Sequence, residues 1–170
     1  MKTSQLGIQL IKHYESLNDN DLTLIGLQPK MDPAGIWTSG YGHAILIDGE
    51  FLKGIENEAI AYQYTIADEN AAMVQLANDL IPRENQVNSL RLNCQWNVFD
   101  SLVSFVFNEG FENLLTSTLL KRIKTDMTPD MITEAFLMWN EAGGKVQRGL
   151  TYRRQTEALL CTTGELKFFN

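Results

Sequence analysis

The chain has 170 residues, of which 44% are hydrophobic and 21% charged, and its formal net charge is −7. Such a composition excludes a disordered chain and suits a single domain, or a tight pair of lobes, with a real core. No apolar run is long enough to span a bilayer, and nothing apolar follows Met1-Lys-Thr-Ser-Gln5 as a signal peptide would require, so synthesis in the cytoplasm is expected.

The charge is unevenly placed. Residues 1–82 hold four basic and eleven acidic side chains, whereas 83–170 hold ten of each. With no basic stripe, nucleic acid is not expected as a partner, and neither is stable membrane insertion. Two cysteines, Cys94 and Cys161, and two histidines lack metal-ligand spacing. Both thiols are expected to be buried and reduced, with no metal and no cofactor.

In chain order, Thr3 or Ser4 can cap a first helix whose apolar positions are Leu6, Leu10, Ile11 and Tyr14. The Asn/Asp-rich run from Ser16 to Asp21 should stop it near Glu15 or Leu17. Leu22-Thr-Leu-Ile25 and Ile36-Trp-Thr38 are β-prone and punctuated by Gly and Pro, which predicts a small antiparallel sheet of hairpins over 22–50. Residues 51–63 carry no clear pattern. Thr65-Ile-Ala-Asp68 resembles a capping box for a helix that Pro82 should end, with a second helix from Arg83 to Leu90. The stretch from Gln95 to Phe107 is apolar nearly all round and predicts a buried central helix ended by Gly110. Ser117-Thr118 starts a short helix, Thr128-Pro129 caps another over 130–140, Gly143-Gly144 is a loop, and 151–160 is the last helix.

This order defines an α+β protein with segregated strands. It is expected to be one domain over 1–170, with a helix and small sheet lobe at 1–64 and a helical lobe at 65–170. The cleft between lobes is the expected place for an extended ligand.

Glu15 and the segment Asp32-Pro-Ala-Gly-Ile-Trp-Thr38-Ser-Gly-Tyr-Gly-His43 carry the candidate chemistry. Cleaving a glycosidic bond needs one protonated carboxylic acid and one carboxylate that activates water or stabilises the cationic centre. A carboxyl at the negative end of a helix, in the acidic half of the chain, has reasons to hold its proton, which suits Glu15 to the acid role. Asp32, in a turn before Pro33, can stay ionised through backbone donors. Thr38 supplies a hydroxyl that can hold a water. Asp32 read alone is equally a turn-former. Asp19 and Asp21 rival it for the carboxylate role. His43 is expected to be a structural hydrogen-bonder. Arg153 and Arg154 are read either as a solvated helix face or as one partner for Glu15 or another carboxylate. Trp96 and Trp139 are expected in the core.

Five blocks in order resemble the phage lysozyme family: Ile11-Lys-His-Tyr-Glu15, the 32–43 segment, Phe99-Asp-Ser-Leu-Val-Ser-Phe-Val-Phe107-Asn-Glu-Gly110, Ser117-Thr-Leu-Leu120, and Trp139-Asn-Glu-Ala-Gly-Gly-Lys-Val-Gln-Arg-Gly149 continuing to Glu157. The resemblance implies a lysozyme-like fold and cleavage, with inversion, of the β-1,4 bond between N-acetylmuramic acid and N-acetylglucosamine in peptidoglycan. It implies Glu15 as general acid, Asp32 as the carboxylate on the water side, and Thr38 as the hydroxyl that positions the water. Gly42, Ala44, Phe107 and Thr118 would line the sugar site. The expected setting is a monomer that leaves the host cytoplasm through a holin-type pore. A muramidase toxin, a lytic transglycosylase and a catalytically dead peptidoglycan-binding module remain open alternatives. Two departures stand out: the segment from Glu15 to Asp32 is long for the family, and Ser16 occupies a position where Gly is common.

Overall fold

The computed structural model describes residues 1–17 and 24–169. Helix α1 runs Gln5–Glu15, followed by β1 (Lys30–Met31), β2 (Trp37–Ser39), β3 (His43–Ala44), β4 (Leu46–Ile47) and β5 (Glu50–Phe51). A 3-10 turn at Ile55–Asn57, α2 (Glu58–Ala61) and a second 3-10 turn at Tyr62–Tyr64 lead into α3 (Glu69–Ser89). Helices α4 (Trp96–Glu109), α5 (Phe111–Thr116), α6 (Thr118–Lys124) and α7 (Pro129–Leu137) precede the hairpin β6 (Glu141–Ala142) and β7 (Lys145–Val146), and α8 (Arg148–Thr163) closes the series.

The chain forms two compact units, Glu15–Asp79 and Met1–Tyr14 with Leu80–Asn170. This departs from the expected division at 64/65 in two ways: the boundary falls inside α3, and α1 up to Tyr14 belongs with the helices. Hydrogen bonds explain the second. Ser4 N donates to Asp100 Oδ1 at 3.0 Å, Thr3 N donates to Glu84 Oε1 at 2.8 Å, and the Tyr14 hydroxyl meets Thr156 Oγ1 at 2.6 Å.

In the strand-bearing unit, β1, β2 and β3 form one antiparallel sheet, with Lys30 opposite Thr38, Met31 opposite Trp37, Thr38 opposite Ala44 and Ser39 opposite His43. Residues that face each other across antiparallel strands share a sheet face, and faces alternate along a strand. Lys30, Thr38 and Ala44 therefore share one face, and Trp37, Ser39 and His43 the other. The core of this unit is Trp37, Ile45, Leu52 and Ala61, and the Trp37 indole donates to Gly54 O at 2.8 Å. A strand at 22–25 was expected. Leu24 and Ile25 form a bend, Ile25 being 98% exposed, while Leu22 and Thr23 lie outside the described residues.

Helix α3 corrects two expectations. Its cap is Asp68, whose Oδ1 accepts from Ala71 N at 2.9 Å; the Thr65 hydroxyl instead donates to Gln28 Oε1 at 2.7 Å. Pro82 lies inside the helix rather than ending it. Pro82 and Asn78, four residues before it, are both exposed, so water can satisfy the carbonyl that loses its amide partner.

In the helical unit α4 is the buried helix, with nine buried residues from Asn97 to Val106, and it packs on α8. Trp139 rests edge-on against Phe105 at 5.3 Å, whereas Trp96 is 41% exposed, contrary to its expected place in the core. Ser117 caps α6 through Leu120 N at 3.0 Å, and Thr128 caps α7 ahead of Pro129 at N1. The six-residue α5 was not anticipated. Gly143-Gly144 is not an open loop but the two-residue turn of the β6–β7 hairpin, with φ of 59° and 71°.

Arg153 and Arg154 are buried, which excludes the solvated-face reading. Glu157 Oε1 accepts from Arg153 Nε at 3.2 Å, from an Arg154 guanidinium nitrogen at 3.0 Å and from Ser104 Oγ at 2.7 Å. Arg154 Nε lies 2.9 Å from Glu157 Oε2, but the two atoms are not aligned as a hydrogen bond, so this is a contact of charges. Glu109 Oε1 and Asn108 Oδ1 complete the set at 3.2 Å and 3.0 Å from Arg154.

Burial pushes the Asp100 carboxyl above its ordinary range, bonds from Ser4 and Gly7 pull it partly back, and the Glu84 charge adds to the rise. A carboxyl raised in the native state stabilises that state when protonated, and the contribution is lost as pH rises through the raised value. Asp100→Asn should therefore gain in melting temperature relative to wild type as pH rises from about 4 to 7. Melting curves of both proteins across that range check this; a flat or opposite difference contradicts it.

Candidate active site

Glu15 is the last residue of α1, and Ser16 after it has φ of 57°. A left-handed residue just past a helix end is usually glycine, because a Cβ crowds the following carbonyl. The backbone bend is thus present here with serine in glycine's usual place. It turns the chain out of the helix directly after the carboxyl.

Asp32 follows β1 and opens a turn through Pro33 and Ala34. Its Oδ1 accepts from Ala34 N and Ile36 N, both at 2.8 Å, while its own backbone exchanges bonds with Ile36 O and Gly35 N. Among the described residues, both hydrogen bonds to this carboxylate fall on Oδ1. Such bonds fix the rotamer of the side chain. The turn-forming and carboxylate readings of Asp32 are therefore compatible, since the turn orients the group.

Thr38 is central in the sheet, and its hydroxyl donates to Lys30 O at 3.0 Å. Ala44 lies opposite Thr38 on the same face. Gly42, in the turn from β2 to β3, has φ of 75°, and a Cβ placed on it would stand 2.9 Å from Glu15 Oε2. Glycine is needed here twice over, for the dihedral and for the approach of the carboxyl. Gly42→Ala should lower stability by about 1–3 kcal/mol, through the dihedral and the crowding of Glu15 Oε2. A thermal melt checks this; a wild-type melting temperature would contradict it.

Glu15, Asp32, Thr38 and Gly42 line one cavity of about 530 Å³ within the strand-bearing unit, together with Lys30, Met31 and Pro33. Glu15 at the end of α1, Asp32 in the turn after β1 and Thr38 in β2 thus present two carboxyl groups and a hydroxyl to a common space. Lys30 was missed from sequence; its only signal is its place opposite Thr38. Asp19 and Asp21 lie outside the described residues.

His43 Nδ1 lies 2.9 Å from both oxygens of Asp79, as a structural hydrogen-bonder would. Phe107 and Thr118 belong to the helical unit. Phe107 is half-buried in the last turn of α4, with the Arg83 guanidinium 5.5 Å from its ring centre, and it lines a separate cavity of about 480 Å³ with Gln86, Asn108 and Glu109. Thr118 is the first residue of α6.

The model of the phage lysozyme family matches residues 24–157. The chain is similar to the endolysin of Bacillus phage B103, 32% identical over 168 residues, which are 98% of this chain and 56% of that protein. It thus spans little more than half the length of the Bacillus phage relatives it matches. Among solved structures, the endolysin from Escherichia coli O157:H7 phage FAHEc1 matches with a TM-score of 0.77 at 29% identity, over 98% of this chain and 97% of that one. The muramidase domain of SpmX from Asticaccaulis excentricus matches with a TM-score of 0.73 at 30% identity, over 95% and 98%. These likenesses define the fold as lysozyme-like, with small antiparallel sheets and a mainly helical body. The chain belongs to the phage lysozyme family.

Proposed function

We propose that the protein is an endolysin, a muramidase that hydrolyses the β-1,4 bond between N-acetylmuramic acid and N-acetylglucosamine in bacterial peptidoglycan with inversion. The observation that carries this reading is the convergence of Glu15, Asp32 and Thr38 on one cavity. Names borne by related proteins, endolysin and muramidase domain, support the same substrate.

In this mechanism Glu15 donates its proton to the glycosidic oxygen as the bond to the leaving sugar breaks. Asp32 takes a proton from a water on the opposite face of the ring, and that water's oxygen bonds to the anomeric carbon. Thr38, its own proton committed to Lys30 O, accepts a hydrogen bond from the water and holds it in line. Gly42 and Ala44 shape the wall near the reacting sugar. A catalytically dead binding module would have no use for the three groups together, nor a lytic transglycosylase for the carboxylate and hydroxyl that serve a water.

Among the described residues no helix is long and apolar enough to cross a membrane. In the proposed setting the protein acts as a monomer on the wall after release through a holin-type pore. Release of reducing ends from purified peptidoglycan tests the function. Asp32→Asn should abolish it, whereas Asp19→Asn and Asp21→Asn should leave it near wild type. Loss at Asp19 or Asp21 with an active Asp32→Asn would overturn the assignment.

A further inference from the structure

A cavity of about 780 Å³ lies in the helical unit, and none of the residues proposed for the reaction lines it. Both cysteines line it, Cys94 from the segment leading into α4 and Cys161 from α8, in a mixed wall that includes Val98, Ile123 and Ile132 beside Arg91, Lys124 and Asp126. Cys94 is half-buried and Cys161 buried, and both are free thiols. The two segments are already tied: Asn97, in the first turn of α4, donates from Nδ2 to Cys161 O at 2.7 Å and to Leu160 O at 3.3 Å. That bond holds the backbone of Cys161 against a residue three positions from Cys94. Both thiols border the same open space.

We propose that Cys94 and Cys161 are a disulfide-forming pair, closed by a low-molecular-weight disulfide oxidant and locking the entrance of α4 onto α8. In the first step the Cys94 thiolate attacks one sulfur of oxidised glutathione and expels a glutathione thiolate. The Cys161 thiolate then attacks the Cys94 sulfur of the mixed disulfide and expels the second. Two protein S–H bonds are lost and one S–S bond forms. The two protons leave with the two reduced glutathiones, and the protein is oxidised by two electrons.

The order of the steps follows from burial. Cys94 is the more accessible thiol, raised by its partial burial. Cys161 is pushed up to about 12, first by burial and then by the nearby Cys94 and Glu157 charges. Its thiolate is scarce near neutral pH, so closure is the slow step and speeds up with pH. The ring closed between residues 94 and 161 takes in α4 to α8. Cross-linking so long a loop restricts mainly the unfolded chain.

The test incubates the whole folded protein with oxidised glutathione at pH 8, and in parallel with the small azo oxidant diamide, which accepts the two hydrogens directly. Intact mass, peptide mapping and melting temperature are read. The expected result is a transient glutathione adduct at Cys94, then a monomer lighter by two hydrogens with a peptide joining 94 to 161. Its melting temperature should rise by roughly 5–10 °C. Cys161→Ser should stop at the adduct, and Cys94→Ser should show no shift. A wild-type adduct that persists with Cys161 still alkylated after unfolding would overturn the proposal. So would intact thiols after diamide, or a cross-linked dimer.

Discussion

Glu15→Gln is expected to lower the rate of peptidoglycan cleavage by about 10²- to 10⁴-fold, the usual contribution of a positioned proton donor. The substitution keeps the shape of the side chain, so it keeps the close fit of the carboxyl to Gly42 in the turn between β2 and β3. In the proposed mechanism it takes away the proton donor to the leaving oxygen. The expectation has two readouts, reducing ends released per unit time and the thermal melt. A folded variant that cleaves at the wild-type rate would remove Glu15 from the acid role. An unfolded variant would be replaced by Glu15→Asp, which retains the acid and shortens its reach, and should lose rate through misplacement instead.

Arg154→Met is expected to cost about 3–5 kcal/mol of stability, the range for removing one partner of a buried ion pair. Arg154 and Glu157 are both 0% exposed, and Arg154 also meets Glu109 and Asn108. Taking the cation away leaves Glu157 with Arg153 and Ser104, and Glu109 without its guanidinium partner. For a chain of this size the melting temperature should fall by about 6–20 °C. The double variant Arg154→Met with Glu157→Leu should be damaged at least as much as the single, because it also takes the Glu157 carboxylate away from the buried Arg153. A loss below about 1 kcal/mol in the single variant would show that Arg153 alone satisfies Glu157.

Much of this protein is legible in local patterns. The apolar residues of 95–107 fall nearly all round a helix and mark it as buried, and Ser117 and Thr128 announce their helices because a cap acts through residues two or three positions away. What failed depends on distant partners. Pro82 reads as a stop, yet its exposed place on α3 lets the helix continue. Thr65 reads as a cap, but Gln28 claims its hydroxyl and Asp68 caps instead. Arg153 and Arg154 are charged and adjacent, so their burial becomes visible only with Glu157 and Glu109 in place. The site divides the same way. Glu15, Asp32 and Thr38 are suggested by residue type and order, but their shared cavity, the Asx-type bonds that orient Asp32 and the contribution of Lys30 follow from strand register.

The central claim, hydrolysis by an acid at Glu15 and a water activated at Asp32, is tested most directly by the products of the wild-type protein on purified peptidoglycan. Borohydride trapping identifies the new reducing sugar, and early NMR spectra give its anomer before mutarotation. Reducing N-acetylmuramic acid released first as the α anomer is the predicted result. Anhydro-muramic ends, reducing N-acetylglucosamine, or binding without any new end would contradict it.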